Sequence, residues 1–454
     1  MFKKAWRLGQ RMCRPGTSRL FRCLAVADVD LDAGTATALS PLTPYASPAE
    51  GVHALVWLHG VPVAELTVDG DPEGVLARLP ELAARAAHDA VEMHQVQHRD
   101  SARWLLQDRS PCLAEKQWRS RAGTSTLTVA VCTRDRPTDL ARCLHSLRNQ
   151  TVDVEVLVVD NDPGGDGARL VVEEHPGVRY VREPRRGTAW ARNRALVEAS
   201  TTLIAFVDDD VQAHPRWAEA LLMTFDAHPE AGAVTGLVAP AELSTPAQVV
   251  FEAAGGFGRG YRQRRLRSES QDPRESAKAV YHIGAMGTGA NMAFRRERLL
   301  AAGGFDPALG PGTPTAGGED HEALCRLLTT GALIVYEPAA VVRHRHRRTM
   351  AELRKQRRAD GTGSASMLIG ASRKLGSAHH RQWRILAAQW FVKSAAWTVA
   401  ASLVRPAARP PSLTVANLAG WTFALASDPY RRAVVQVRRQ AREHPDEPLL
   451  APLP

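Results

Sequence analysis

The chain has 454 residues, too many for one ordinary hydrophobic core, so we expect two or three domains. Hydrophobic residues make up 44% and charged residues 23%, which excludes a disordered chain and disfavours a bulk transmembrane protein. The 58 Lys+Arg against 48 Asp+Glu give a formal charge of +10. This charge favours phosphate-bearing partners or an anionic membrane without choosing between them.

The six cysteines include no C-x-x-C pair, which argues against a disulfide framework or a zinc site. A reducing compartment, the cytoplasm, fits this cysteine usage best. Residues 1–23 form a predicted basic tail, with no apolar run that would make a signal-peptide core. We expect a solvated tail in preference to a membrane-surface contact.

Residues 24–120 are predicted to form a small accessory α+β domain. Two apolar runs, 54–58 and 61–68, flank His59-Gly60 and indicate a hairpin with a two-residue turn. Leu76 to Val91 has apolar residues at helical spacing. Nothing in this domain clusters a nucleophile, a base or metal ligands, so we assign no chemistry to it.

Residues 121–349 are predicted to form an α/β domain. Short apolar runs at 127–132, 154–159, 178–181, 203–207 and 233–238 indicate the strands of a mostly parallel sheet. The intervening segments 137–147, 189–199 and 215–225 are typical of helices, and prolines open the first and third of them. In such sheets ligands bind at the carboxyl ends of the strands.

Residues 350–454 are predicted to be a helical extension. A basic helix is followed by a predicted Gly/Ser linker at 361–366, and then by the tryptophan-containing apolar stretch 385–404. Lys393 lies within that stretch, and a lysine at the centre of a spanning helix costs about 2.5–3.5 kcal/mol. An interfacial or docked helix is therefore favoured over a spanning one.

A strand running into three carboxylates, Asp208, Asp209 and Asp210, is the most informative feature. At the two-residue strand period Asp208 and Asp210 share a face and Asp209 points away. Such a pair of oxygen donors suits Mg²⁺ or Mn²⁺ bound to nucleotide phosphates. The alternative is an acidic turn stabilised by the amino end of the next helix.

Polar residues also follow the neighbouring strands. Thr133 and Arg134 end the first strand, and Asp160 ends the next, where an acid commonly contacts a ribose or a base. The glycines after Asp160 do not match G-x-G-x-x-G, which disfavours a Rossmann dehydrogenase. Arg192 and Asn193 lie near the start of a predicted helix, where an arginine can pair with phosphate oxygens.

Two further segments carry candidate chemistry. Gly317 and Gly318 precede an acidic helix start, and we expect them to allow close ligand approach while Asp320 acts as a general base. A capping role is the alternative for these acids. His344 and His346 fall on one strand face, where an imidazole could complete a metal site.

The order of these motifs resembles glycosyltransferase family 2 enzymes of the GT-A fold, and the resemblance covers about residues 127–349. The segments that carry it are VAVCTRDRP, VLVVDND, GTAWARN, FVDDD, GTGANMAFRR, GGFD, GGED and VRHRH.

This resemblance implies an inverting transfer of a hexosyl group from a nucleotide sugar, UDP favoured, to an acceptor hydroxyl. The acceptor would be lipid-linked, a polysaccharide or a small molecule, and the cofactor Mn²⁺ or Mg²⁺. By likeness Asp320 would be the catalytic base, and Gly287 to Asn291 would border a sugar. The nucleotide-sugar site would comprise Thr133, Arg134, Asp160, Arg192, Asn193, Asp208 and Asp209. The metal ligands would be Asp208, Asp210 and His344.

Other functions remain open at this point. A nucleotidyltransferase also uses paired carboxylates and a metal, but it would usually show a Gly-rich phosphate loop near the first strand. Nucleic-acid binding lacks support, because the arginine runs are not interleaved with stacking aromatics. An inactive transferase-like scaffold or a membrane-surface binding protein is the remaining alternative, and the intact carboxylates argue against the scaffold.

Overall fold

The structure, a computed structural model, describes residues 22–40, 48–97, 125–268, 282–374 and 410–450, together with isolated positions between 385 and 403. The basic tail predicted at 1–23 therefore lies almost entirely outside the described residues. The same holds for much of the apolar stretch predicted at 385–404. No helix within the described part of the chain is both long and apolar enough to cross a membrane.

The N-terminal unit is a four-stranded sheet covered by helices. Its strands pair in the order β2-β1-β3-β4, and β1 and β3 are parallel. The predicted hairpin is present, and His59 and Gly60 both have positive φ, 53° and 73°, as a twisted two-residue turn requires. The elements are β1 Ala25–Asp30, β2 Thr35–Ala38, β3 Gly51–Leu58, β4 Val61–Asp69, α1 Pro72–Ala86 and α2 His88–Gln97.

The helix predicted from Leu76 to Val91 is in fact two helices. Asp71 caps the first by accepting a hydrogen bond from the backbone N–H of Gly74 at 2.9 Å, and Pro72 occupies the first turn, so this helix begins earlier than the apolar spacing suggests. Ala87 has ψ near 7° and ends it. The apolar spacing continues through that break because both helices pack on the same sheet.

A central sheet flanked by helices confirms the predicted α/β class. Within the described residues nine strands pair in the order β11-β13-β10-β12-β8-β5-β6-β7, with β9 paired to β13. The pairs β5–β6, β6–β7, β5–β8 and β10–β13 are parallel. The strands are β5 Leu127–Thr133, β6 Glu155–Asn161, β7 Arg179–Glu183, β8 Leu203–Asp208, β9 Val211–Ala213, β10 Ala231–Pro240, β11 Arg264–Leu266, β12 Asn291–Arg295 and β13 Leu333–His344.

Helices cover both faces of this sheet. Alternate residues of β5 point to opposite sides, so Val129 and Val131 pack with α3, α4 and α6, whereas Ala130 packs with α5, α8 and α9. Pro215 lies before the third predicted helix and not within it, because that helix begins at Trp217. The helices are α3 Pro137–Arg148, α4 Gly167–Glu173, α5 Thr188–Glu198, α6 Trp217–Ala227, α7 Pro246–Ala253, α8 Arg296–Ala301 and α9 Glu319–Thr329.

In the described part of the C-terminal region, three helices pack against the α/β domain. They are α10 Met350–Lys374, α11 Pro411–Ser427 and α12 Pro429–Glu443. Tyr430 donates a hydrogen bond to Asp306 Oδ2 at 2.8 Å, and Trp190 of α5 donates to Gln440 Oε1 at 3.1 Å. Both contacts are buried, so this extension is part of the core and not a separate appendage.

The Gly/Ser linker predicted at 361–366 is wrong, because these residues lie inside α10. The glycines there let two helices approach closely. A Cβ on Gly361 would stand 2.1 Å from the carbonyl oxygen of Asn417, and a Cβ on Gly420 would stand 2.1 Å from that of Arg358. Helix packing thus selects glycine at these positions despite its low helix propensity.

We predict that Gly420→Ala destabilises the protein, because its methyl group would force α10 and α11 apart. Overpacking of this kind costs about 1–3 kcal/mol. Scanning calorimetry should show a lower melting temperature. Gly74→Ala, in a helix where the added Cβ would meet its nearest atom at 3.5 Å, is the matched control. A melting temperature unchanged in both variants would contradict the close packing.

Candidate active site

The carboxyl ends of three parallel strands bring the first group of predicted site residues together. In the register of the sheet Thr133 of β5 lies opposite Asp160 of β6, and Cys132 lies opposite Asp208 of β8. All three strands have a buried hydrophobic centre and end in polar residues at this edge. The sheet topology therefore gathers residues that are far apart in the chain.

The aspartate triplet forms the turn between β8 and β9. Strand β9 pairs antiparallel with β13 and places Val211 opposite His344, which brings this histidine to the triplet. Asp208, Asp210 and His344 each offer a ligand atom, and these atoms all lie within 4.8 Å of one another. Two carboxylates and an imidazole form a donor set that fits a Mn²⁺ or Mg²⁺ ion.

Asp209 points away from this group, as the strand period predicts. The Thr133 hydroxyl donates to Asp209 Oδ2 at 2.8 Å, and the Arg136 guanidinium donates to Asp209 Oδ1 at 3.0 Å. The same Arg136 nitrogen lies 3.2 Å from Asp210 Oδ2. Asp209 thus ties the triplet to the end of β5 and to the start of α3.

The electrostatic environments of Asp209 and Asp210 differ. Burial, reinforced by the neighbouring Asp210 carboxylate, raises the pKa of Asp209 to about 6. Burial alone would raise the pKa of Asp210 too, but His344, Arg136 and Arg347 outweigh it and lower that pKa. Asp210 is therefore ionised at neutral pH.

A second carboxylate group lies at the start of α9 and is held by Arg192. The buried Arg192 guanidinium donates to Glu319 Oε1 at 2.8 Å and to the carbonyl of Gly289 at 3.3 Å, and it lies 3.6 Å from Asp208 Oδ1. This arginine connects the triplet with the acidic helix start.

Asp320 accepts two backbone hydrogen bonds, one from the N–H of Gly289 at 2.7 Å and one from that of His321 at 2.8 Å. Burial would raise its pKa, but His321, Arg192 and these two N–H groups lower it. By contrast, burial raises the pKa of Glu319 to about 7 although Arg192 opposes it. Asp320 is thus the ionised member of this pair.

Asp160 and Arg134 occupy the opposite corner of the sheet edge. Asp160 is fully buried and accepts a hydrogen bond from the Tyr180 hydroxyl at 2.8 Å, while its Oδ1 has no partner. Arg134 lies 3.1 Å from Asp162 Oδ2. A buried carboxylate oxygen without a donor is costly, so Asp160 is suited to accept a hydrogen bond from a ligand.

Two predicted groups make protein contacts instead of facing open space. Asn193 bonds the backbone of Phe305 in both directions, at 2.8 and 2.7 Å. The expectation that Gly317 and Gly318 admit a ligand is wrong, because α10 fills this space. A Cβ on Gly318 would stand 2.7 Å from the carbonyl oxygen of Gly363.

Sequence reasoning missed several residues that complete the site. Arg136 bridges Asp209 and Asp210, Arg347 lies 3.6 Å from Asp210 Oδ2, and Tyr180 binds Asp160. Arg136 stands in the motif VAVCTRDRP and Arg347 directly follows VRHRH, so a count of compensating charges around three aspartates could have found both. Tyr180, by contrast, has no signal apart from its place on β7.

A groove leads away from the triplet towards the N-terminal unit. One cavity of about 380 Å³ is lined by Asp210, Arg345 and Asp139. It shares Leu39, Gln212 and Ala241 with a second cavity of about 820 Å³. The second cavity lies between β1 to β3 of the N-terminal unit and the loop after β9.

Residues 128–299 match the family model for glycosyl transferase family 2. This segment of the chain is thus similar to that family. Its α/β sheet, with the motifs at the carboxyl ends of the strands, agrees with the GT-A arrangement expected of a family 2 domain. The match begins in β5 and ends in α8, so the N-terminal unit, the acidic start of α9 and the C-terminal helices lie outside the matched residues.

Two curated relatives align with this chain. A pre-mycofactocin glycosyltransferase of Mycobacterium tuberculosis is 28% identical over 228 residues, covering 49% of this chain and 43% of that protein. The succinoglycan biosynthesis protein ExoM of Rhizobium meliloti is 29% identical over 300 residues, covering 63% and 87%. The chain thus aligns with less than half the length of the mycobacterial relative.

Among solved structures, the mannosyltransferase PcManGT of Pyrobaculum calidifontis, in complex with GDP-Man and Mn²⁺, is 18% identical to this chain. The two structures superpose with a TM-score of 0.46, and the superposition covers 76% of this chain and 97% of the mannosyltransferase chain.

We predict that Arg192→Leu strongly destabilises the α/β domain, because it leaves Glu319 buried without its cation. Breaking a buried pair by removing one partner costs about 3–5 kcal/mol. Adding Glu319→Gln should restore part of the loss, which a denaturation series on the single and double variants measures. Arg169→Leu, on the exposed surface of α4, is the control. Additive losses in the double variant would contradict the coupling.

Proposed function

We propose that the protein is an inverting glycosyltransferase that moves a hexosyl group from a nucleotide sugar to an acceptor hydroxyl. The family-model match over residues 128–299 and the relatives support the class of reaction. The observation that carries the proposal is the meeting of Asp208, Asp210 and His344 beside the Arg192-linked carboxylates of α9. The proposed donor site and the proposed base would thus lie next to each other at one edge of the sheet.

The nucleoside end of the donor would bind at Thr133, Arg134 and Asp160. The unpaired Oδ1 of Asp160 is available to a ribose hydroxyl or a base N–H. Asp208, Asp210 and His344 would hold Mn²⁺ or Mg²⁺, which when bound supplies positive charge to stabilise the departing diphosphate. Asp209 keeps the triplet in place through Thr133 and Arg136.

Asp320 would act as the general base. Two backbone N–H groups fix its carboxylate and favour the ionised form, so it can accept the proton of the acceptor hydroxyl. The hydroxyl oxygen then bonds to the anomeric carbon while the bond from that carbon to the diphosphate oxygen breaks on the opposite face. No covalent sugar intermediate on the protein is needed, and the configuration at the anomeric carbon inverts.

Donor, acceptor and location complete the proposal. UDP is the favoured nucleotide by family resemblance, and the acceptor is lipid-linked or a polysaccharide, as the biosynthetic role in the name of ExoM suggests. We place the protein in the cytoplasm, in peripheral contact with the inner face of the membrane. The free thiols of Cys23, Cys132, Cys143 and Cys325 and the net charge of +10 support this location.

We predict that the protein binds one nucleoside diphosphate in a metal-dependent way and that Asp210→Ala removes this dependence. The reason is that the variant loses a carboxylate ligand. Calorimetric titration of UDP, GDP and TDP, each with and without Mn²⁺, measures it. Glu242→Ala, which removes another acid of the adjoining cavity, is the control. Failure of the wild type to bind any of them would favour the inactive scaffold.

We predict that Asp320→Asn lowers the rate of nucleotide release from the donor by about 10²–10⁴-fold while the affinity for nucleotide stays unchanged. The amide keeps the shape of the side chain but accepts no proton. Steady-state release measured beside a binding titration separates the two effects. Glu322→Gln, on the same helix and paired with Arg326, is the matched control. Equal loss of binding and turnover in Asp320→Asn would refute the base assignment.

A further inference from the structure

Four side chains form a continuous line of close polar contacts from the aspartate turn into the protein. His344 Nε2 lies 3.2 Å from Asp210 Oδ1, and His344 Nδ1 lies 3.1 Å from His346 Nδ1. His346 Nε2 in turn lies 2.6 Å from Glu252 Oε1. The two histidines are only 6% and 3% exposed, so each ring depends on its protein neighbour for hydrogen bonding.

Glu252, at the inner end of the line, determines which nitrogen of each histidine carries the proton. The Glu252 carboxylate only accepts hydrogen bonds, so Nε2 of His346 carries a proton and donates it. A neutral His346 then has a lone pair on Nδ1. Since only one proton fits between the two facing Nδ1 atoms, it belongs to His344. His344 is left with Nε2 as the nitrogen whose lone pair can face Asp208 and Asp210.

We propose that Glu252 and His346 are positioning residues that hold His344 in its Nδ1–H form, with Nε2 directed at the metal group. The inference rests on the proposed function, because it needs the metal site. Partners of this kind orient histidine ligands by fixing the ring and its protonated nitrogen. Neither residue was assigned such a role from the sequence.

The packing around the line supports a positioning role, because it leaves the rings little freedom. Phe257 lies edge-on to His344 with ring centroids 5.3 Å apart, and Phe251 lies 4.6 Å from His346. Gly256 lies against the Glu252 carboxylate, and a Cβ on Gly256 would stand 2.5 Å from both carboxylate oxygens. The carboxylate is thus confined where His346 can reach it.

The test measures metal affinity, not activity. Free Mn²⁺ is followed by electron paramagnetic resonance as it is titrated into the full-length protein with UDP present. His346→Phe keeps the ring but removes the acceptor, and Glu252→Leu removes the end of the line. We expect each to weaken Mn²⁺ binding by about 10–100-fold. Glu252→Gln retains an acceptor oxygen and should bind almost as tightly as the wild type.

Matched controls separate positioning from stability. His228→Phe and Glu337→Leu remove a buried histidine and a partly buried carboxylate away from the sheet edge that holds the metal group. They should lower the melting temperature without changing Mn²⁺ affinity. If His346→Phe and Glu252→Leu behaved like these controls, the inference would be overturned while the proposed function stood. Absence of Mn²⁺ binding in the wild type would overturn both.

A spectroscopic readout covers the case in which His346→Phe does not fold. In ¹⁵N-histidine-labelled protein loaded with Mg²⁺ and UDP, we expect the His344 ring to show the Nδ1–H form. Glu252→Leu should shift this signal towards a mixture of the two forms, and Glu252→Gln should shift it less. An unchanged signal in Glu252→Leu would count against the inference.

Discussion

Compensation of three adjacent carboxylates at the end of a buried strand is the constraint on which the site depends. Strand β8 runs through the hydrophobic core and delivers Asp208, Asp209 and Asp210 to one turn. Three negative charges in a poorly solvated position are costly unless cations and donors surround them. The chain meets this requirement with partners from separate elements: Thr133 and Arg136 near β5, Arg192 in α5, and His344 and Arg347 at the end of β13. Folding of the sheet therefore also brings the residues of the site together.

The C-terminal helices also help to position the site, although they lie beyond the residues that match the family model. Helix α10 packs on Gly318, the residue that precedes α9, through Gly363. The next residues of α9 are Glu319 and Asp320, so the position of the proposed base is set partly by α10. Tyr430 and Gln440 of α12 bind Asp306 and Trp190 on the same side. A shift of these helices would consequently move the carboxylates of α9 relative to the triplet.

How far the sequence predicted this arrangement depends on the range of the interaction. Hydrophobic runs ending in polar residues predicted the strands and the meeting of Thr133, Asp160 and Asp208, because parallel strands place their carboxyl ends together. The two-residue period of a strand predicted that Asp208 and Asp210 point to the same side. Sequence failed where a contact between distant elements decides the outcome. The composition around Gly361 suggests a linker, but this glycine lies inside α10 because α11 crosses the helix there. Gly318, where we expected a ligand, is instead in contact with α10. Glu252 has no local pattern that relates it to His346.

The N-terminal unit contacts the strands that build the site. Because side chains alternate along β13, Arg343 and His344 point to opposite sides. His344 faces Asp210, whereas Arg343 forms an ion pair with Asp28 of β1 and donates to the carbonyl of Pro240. Trp57 of β3 binds the same Asp28 and stacks on His214 just after β9. The accessory sheet thus holds both strands that create the contact between Asp210 and His344, and it borders the groove that starts at Asp210. An element without catalytic residues therefore acts on the site by fixing the two strands that build it.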